Sequence, residues 1–251
     1  MRFSNGQFGL VIGVVCSIAL ISGCQKQNTE QDSAKTASVS TEKVVLPAVS
    51  AKTVGMVLPQ KVYCEADECT DYTIQTVETN LPWVNDYFSQ RLTKDAPLAF
   101  SKSPRAVPKD TKEQDINQSN YTVKFVSQNY HLVTFVLESD SYSAGAAHGM
   151  YHKEYVVFDL NTKKRVTMSD LYSPDQQVKV YQALYSANES WLKEHGIEAG
   201  KLEPTDNFYY SQDGIVFVYP LYELASYAEG MTELILPYTD AKAVINSQYL
   251  P

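Results

Sequence analysis

The stretch YTVKFVSQNYHLVTFVL, residues 121–137, decides the fold class. Its two halves, 121–126 and 131–137, are rich in β-branched and aromatic residues, and polar Ser127-Gln128-Asn129 lies between them. Such side chains suit a pleated, half-buried surface, so the pair reads as a β-hairpin turning at 127–129. Further along, a strand is expected over 151–160, joined through Asn161-Thr162-Lys163-Lys164 to a short partner over 165–168. Asn207-Phe208-Tyr209-Tyr210 and Ile215-Val216-Phe217-Val218-Tyr219 flank Asp213-Gly214, a strong hairpin signal. Leu234-Ile235-Leu236 gives a last strand, and 239–247 a short closing helix.

Between these β segments lies the clearest helix of the chain. Ser173-Pro174-Asp175-Gln176 has the form of a capping box with Pro at the first helical position. Val178, Tyr181, Leu184, Tyr185, Trp191 and Leu192 then form an apolar stripe up to His195-Gly196, and that stripe would pack on the sheet. Toward the N-terminus, alternation over 72–77 predicts a strand. A helix follows, with Pro82 in its first turn and Val84, Tyr87, Phe88 and Leu92 on one face. Pro97, Pro104 and Pro108 among polar residues mark 94–118 as a long loop. Strands and helices do not alternate strictly, which predicts an α+β fold. Its expected form is a mostly antiparallel sheet with a long helix packed on it and a smaller N-terminal strand-helix subdomain. The subdomain would span 56–118 and the C-terminal domain 119–251.

The first residues have a different character. After Arg2 the chain is uncharged to Gly23, with an apolar run from Leu10 to Ile21 that closes on Ile21-Ser22-Gly23-Cys24. This reads as a secretory signal over 1–23. Its closing pattern resembles the bacterial lipobox, which implies a lipid, such as palmitate, on Cys24. The apolar run is marginal against the roughly 20 residues that a membrane span needs, and polar Gln25-Lys26-Gln27-Asn28 follows at once. Gln25 is not the acidic residue that retains lipoproteins at an inner membrane, so the periplasmic face of the outer membrane is the expected address. Residues 24–55 hold few large apolar groups and no aromatic, a composition expected of a flexible linker.

Compartment then sorts the cysteines. Cys16 leaves with the leader and Cys24 carries the lipid, so Cys64 and Cys69 remain and are expected to form a disulfide in an oxidising space. A structural zinc site needs four ligands, and no Cys or His cluster supplies the other two. The formal charge is −8, and it becomes one unit more negative when Arg2 is removed. An acidic domain repels nucleic acid, and nucleic acid is not an expected partner.

Two stretches carry a family resemblance. SYSAGAAHGMYHKEYVVFDLNTKKRVTMSDLY, residues 141–172, holds a small-residue turn with His, an aromatic strand ending in Phe-Asp-Leu, and Ser-Asp-Leu before a helix. NFYYSQDGIVFVYPLYELASYAEGMTELILPY, residues 207–238, holds a strand, an Asp-Gly turn, a second strand, then Tyr-Glu-x-Ala-x-Tyr-Ala-x-Gly and a strand ending in Pro. Both resemble the extracytoplasmic domain of the anti-sigma factor RsiV, which also occurs beside the peptidoglycan deacetylase PdaC and in lipoproteins. Ala146 stands where that family usually has its second Gly, so the turn is expected to form without glycine's freedom in φ. The stretches that resemble this family include no cytoplasmic sigma-binding segment and no retained transmembrane helix, so the anti-sigma role is not expected to carry over. The resemblance implies a sensing module, which in the sigma-regulating member binds lysozyme.

Candidate chemistry is sparse. Tyr is abundant, with 18 in the chain. Tyr142, Tyr151, Tyr222 and Tyr227, with His148 of the small-residue turn, are the candidate ligand-binding residues, because Tyr joins apolar area to a polar tip. Alternating Tyr also fits half-buried sheet packing. His148 and His152 would face one metal on a helix, but in an extended strand they stand about 13 Å apart. No metal, cofactor or catalytic residue is therefore expected. Ser141-Tyr142-Ser143-Ala144-Gly145 is not a nucleophile elbow. Acid pairs such as Asp67 with Glu68, or Glu138 with Asp140, read as solvated residues near turns. The expected function is a non-enzymatic envelope lipoprotein binding a lysozyme-type protein or a cell-wall glycan. The alternatives are a cell-wall hydrolase or deacetylase accessory, and a purely structural envelope protein.

Overall fold

The computed structural model describes residues 46–66, 68–102 and 106–251. The leader, Cys24 and most of the expected linker lie outside these residues. No helix among the described residues is long and apolar enough to cross a membrane.

One large sheet joins the strands expected at 72–77, 121–137 and 151–168 to two, at 51–55 and 62–65, that the sequence reading did not expect. Its strands are β1 (Ala51–Gly55), β2 (Val62–Glu65), β3 (Glu68–Thr79), β4 (Ile116–Asn129), β5 (Leu132–Tyr142), β6 (Met150–Asp159) and β7 (Lys164–Arg165). The order is β1-β3-β4-β5-β6-β7, with β2 also paired to β3. β3 and β4 run parallel, and the other pairings are antiparallel. A parallel join needs a crossover. It is supplied by α1 (Pro82–Asp95), which begins with Pro and lays Val84, Phe88 and Leu92 on the sheet, each fully buried. Phe88 meets Phe135 edge-on at 5.4 Å, and Trp83 meets Phe158 at 5.1 Å. Burial of each such side chain stabilises the fold by about 2 kcal/mol.

A second core lies against the small sheet. Its strands are β8 (Phe208–Tyr210), β9 (Gly214–Tyr219) and β10 (Thr232–Pro237), in the order β10-β9-β8. All six β9 residues are buried, as expected of a central strand covered on both faces. Around it pack α2 (Met168–Leu171), α3 (Gln177–Ala187), α4 (Glu189–Glu194) and α5 (Tyr238–Ala241). The α+β class with a mostly antiparallel sheet therefore stands.

Several details differ from the sequence reading. The expected single helix from Ser173 is a 3-10 turn, Pro174–Gln176, followed by α3 and α4 with Asn188 between them. Ser173 Oγ bonds Asp175 Oδ1 rather than capping the backbone, and Val178 is 65% exposed, so the buried stripe starts at Val180. The hairpin does not turn at 127–129. One extra residue, Val126, forms a bulge between the Phe125–Phe135 and Ser127–Thr134 pairs, and the strands continue to Asn129 and Leu132 around Tyr130.

The glycine of Asp213-Gly214 belongs to β9, with no positive φ. A Cβ there would come 2.2 Å from the Leu236 carbonyl oxygen, so close backbone approach is what demands glycine. The expected loop 94–118 contains 3-10 turns at Pro97–Phe100 and Glu113–Asp115, and its last residues begin β4. The expected boundary between 118 and 119 falls inside β4, and the sheet is continuous across it.

The linker reading also ends early, because residues 51–55 are β1. That edge strand holds on by backbone pairing to β3 and by Thr53 Oγ1, which donates to the Val123 carbonyl at 2.9 Å. Ahead of it, Val49 N–H donates to Gln128 Oε1 at 2.8 Å, and Gln128 Nε2 donates to the Pro47 carbonyl at 3.1 Å. Cys64 and Cys69 are directly paired across β2 and β3 and form a disulfide, with Cα atoms 4.0 Å apart.

Candidate functional site: an exposed row of aromatic rings

Two segments far apart in sequence meet beside the N-terminal end of β6. The first is the turn 143–149 between β5 and β6. Asn117 Oδ1 accepts from Ala144 N–H at 2.8 Å, Ala146 N–H donates to the Ser143 carbonyl, and Tyr142 Oη donates to the Ala146 carbonyl at 3.0 Å. Gly145 takes the left-handed conformation at φ 81°, whereas Ala146 has no positive φ. The alanine in place of a second glycine therefore brings no backbone strain to this turn.

The second segment is the connection 220–231 between β9 and β10. Ser226 and Glu229 form a capping box around the 3-10 turn Tyr227–Glu229. Gly230 follows at φ 84°, where a Cβ would also come 2.7 Å from the Tyr151 hydroxyl. The segments are tied by Tyr227 Oη, which donates to the Gly149 carbonyl at 2.9 Å, and by Lys153 N–H, which donates to Met231 Sδ at 3.2 Å.

The contact sets four of the five candidate rings side by side. His148 stacks on Tyr227 with centroids 4.2 Å apart, Tyr222 follows at 5.8 Å and a 30° tilt, and Tyr151 meets Tyr227 edge-on at 6.3 Å. Tyr142 takes a different role and braces the turn. Tyr222 is 54% exposed and Tyr151 36%. These exposed rings are gathered in one place rather than scattered singly over the surface.

A clip that sequence reasoning missed holds the second segment. His195, the residue after α4, stacks on Trp191 at 3.7 Å, and its Nδ1 lies 2.8 Å from the Trp191 carbonyl. Its Nε2 lies 2.6 Å from Glu229 Oε2. Both ring nitrogens face acceptors, so the arrangement selects the imidazolium form. The Trp191 carbonyl and the Glu229 carboxylate hold the His195 pKa above its ordinary value, and His195 and Ser226 hold Glu229 below its own. Nothing in the sequence joins residue 195 to residue 229 before the fold is known.

His152 and Glu154 point elsewhere. With Arg165, Asp206, Asn207 and Glu223 they line a cleft of about 330 Å³. Burial lowers the His152 pKa, and burial together with nearby Glu203 raises that of Glu223. Glu154 is occupied: Arg91 Nη2 lies 2.7 Å and Arg165 Nη2 2.9 Å from its carboxylate oxygens, and these partners outweigh burial to keep its pKa low. His152 makes no hydrogen bond to an acid or hydroxyl among the described residues, so this cleft shows no nucleophile–base pair. No group of three or more His, Cys, Asp or Glu among the described residues is placed to hold a metal ion. Glu138 pairs with Lys124, and Asp140 accepts from Asn120.

Comparison with known proteins is consistent with this architecture. Residues 169–239 match the model of a family described as "Protein of unknown function (DUF3298)". The matched segment includes Tyr222, Tyr227 and the His195–Glu229 clip. A DUF3298 family protein from Pseudomonas aeruginosa PAO1 has a similar structure, with TM-score 0.58 and 18% identity over 82% of this chain and 97% of that one. A member of the same family from Bacteroides fragilis NCTC 9343 gives TM-score 0.59 and 15% identity over 79% and 94%. At these identities the likeness is one of fold. No curated protein matches the chain.

Proposed function

We propose that this protein is a lipid-anchored envelope protein whose folded part is a non-enzymatic, RsiV-like binding module. Its ligand is an extracytoplasmic one, either a cell-wall glycan or a lysozyme-type protein. The observation that carries the reading is the ring row His148–Tyr227–Tyr222 with Tyr151 beside it, in which His148, Tyr222 and Tyr151 are exposed around a partly buried Tyr227 and two braced loops hold the set. Rigid Tyr side chains offer large contact area at little entropy cost, which suits recognition. The leader and Ile21-Ser22-Gly23-Cys24 support export and acylation of Cys24, with the outer membrane's periplasmic face as the address. A disulfide between Cys64 and Cys69 fits an oxidising compartment.

The test uses the full-length protein in detergent, exposed separately to insoluble peptidoglycan and to immobilised lysozyme at low salt. Retention on at least one, reduced by Tyr222→Ala, is expected. Absence of retention on both sinks the reading. For the anchor, Cys24→Ser abolishes metabolic lipid labelling; labelling that persists in that variant contradicts it.

A further inference from the structure

The ring row borders a polar surface built by strand register. Asp140 of β5 is the Cα partner of Tyr151 on β6 and of Asn120 on β4. Side chains opposite one another across a sheet share a face, so Asn120, Asp140 and Tyr151 form one transverse row. Asn120 Nδ2 donates to Asp140 Oδ2 at 2.6 Å, which fixes the two planar groups against each other at the surface. Asp140 Oδ1 and Asn120 Oδ1 keep free acceptor capacity, because no other hydrogen bond engages either atom among the described residues. Flat aromatic faces thus stand next to a fixed pair of hydrogen-bond acceptors.

Charge around this surface is largely cancelled. Glu138 is paired with Lys124, and Glu229 with His195. Glu223, next to Tyr222 in sequence, lines the neighbouring cleft with Arg165. Asp140 is the carboxylate left to the row itself, and it already accepts from a carboxamide. A basic protein partner would find little local negative potential here, despite the acidic chain as a whole. A neutral ligand loses nothing by that cancellation.

We infer that the ring row and the Asn120–Asp140 pair form one surface for an uncharged, N-acetylated sugar chain. A pyranose ring has an apolar C–H face and an edge of hydroxyls. The face lies on Tyr222, the most exposed tyrosine of the row, as apolar groups do on aromatic planes, while Tyr227, stacked on His148, holds the row together. Neighbouring hydroxyl or acetamido N–H donors reach the free oxygens of Asp140 and Asn120, where a charge-assisted bond to the carboxylate is the stronger contact. This inference rests on the binding-module reading above and chooses between its two ligand classes.

The probe is chitotetraose, titrated calorimetrically into the full-length protein in detergent. Saturable binding is expected, with affinity insensitive to salt because no ion pair forms. Tyr222→Ala and Asp140→Ala should each weaken it about tenfold, the loss of one good contact. Both residues are exposed, so thermal melting of the variants stays at the parent value. Glu223→Gln, in the adjoining cleft, leaves the affinity unchanged. Failure of chitotetraose to bind, or unchanged affinity in both alanine variants, overturns the sugar surface. Should lysozyme bind and lose affinity on Tyr222→Ala while chitotetraose does not bind, the sugar inference falls and the binding module survives. If chitotetraose does not bind and neither lysozyme nor peptidoglycan retains the protein, both fall.

Discussion

The side-chain carboxamide of Asn188 pairs with both peptide groups of Ile235. Nδ2 donates to the Ile235 carbonyl at 2.9 Å, and the Ile235 N–H donates to Oδ1 at 3.2 Å. Ile235 lies on β10, the edge of the small sheet. One residue thus acts as a strand partner, and it sits where the expected long helix divides into α3 and α4. Asn207 does the same for β6: it accepts from Tyr155 N–H at 2.8 Å and donates to the Lys153 carbonyl at 2.6 Å. An unpaired edge invites association with other chains, and a carboxamide plug closes it.

Replacing Asn188 by Ala removes these bonds and leaves two backbone groups of β10 without protein partners. The expected loss is about 1–3 kcal/mol of unfolding free energy. Urea unfolding followed by circular dichroism measures it, and light scattering of the variant should rise with time. Asn188→Ala with parental stability and no aggregation would show that water replaces the plug at no cost.

The Cys64–Cys69 bond closes a short loop between β2 and β3, with the cysteines five apart in sequence. Chain-entropy reasoning for so small a ring gives about 2 kcal/mol. Cys64→Ser with Cys69→Ser should lower stability by that amount under oxidising conditions and make it indifferent to reductant. A double variant with the stability of the oxidised parent would refute this.

pH dependence follows from the clip between α4 and the ring-bearing loop. The His195 pKa is raised from its ordinary 6.5, so its contribution is complete below that value and is lost as pH rises through the higher, folded pKa. The Glu229 pKa is lowered from 4.5, so its contribution is complete above that value and is lost as pH falls through the lower, folded pKa. The clip is fullest between the two ordinary values. Glu194, near His195 on α4, acts in the same direction as Glu229 on the imidazolium. An NMR titration of the imidazole should give a midpoint above 6.5 that moves down in Glu229→Gln. A midpoint unmoved by that change removes Glu229 as a cause.

Truncation tests the N-terminal edge. A fragment beginning at residue 56 lacks β1 and the segment bonded to Gln128, whereas one beginning at 44 keeps both. The shorter fragment should melt several degrees lower, as the loss of an edge strand of five residues implies. Equal melting temperatures would mean that β1 contributes no net stability.

Much of the β architecture was legible because it is written locally. The runs at 131–137 and 215–219 are too apolar and β-branched for anything but buried strands, and α1 announced itself through Pro82 and the spacing of Val84, Phe88 and Leu92. β1 was not legible, because an edge strand held by peptide groups needs no large side chains. The helix break at Asn188 was hidden for a related reason: besides a local bond to the Leu184 carbonyl, its carboxamide bonds residue 235, beyond any local window. Tyr and His abundance at 142–151 and 222–227 pointed to the ring row, but not to the division of labour in which Tyr142 braces and the others pack together. Asn120 and Asp140 became neighbours of Tyr151 only once strand register was known.

His148 and Tyr151 come from one hairpin, Tyr222 and Tyr227 from a connection more than 70 residues further on, so a chain that has not finished folding has no ring row at all. Any ligand that rests on those rings recognises the native state alone. Thermodynamic linkage then makes occupancy a stabiliser: at a free concentration of a hundred times Kd it adds about 2.7 kcal/mol to unfolding.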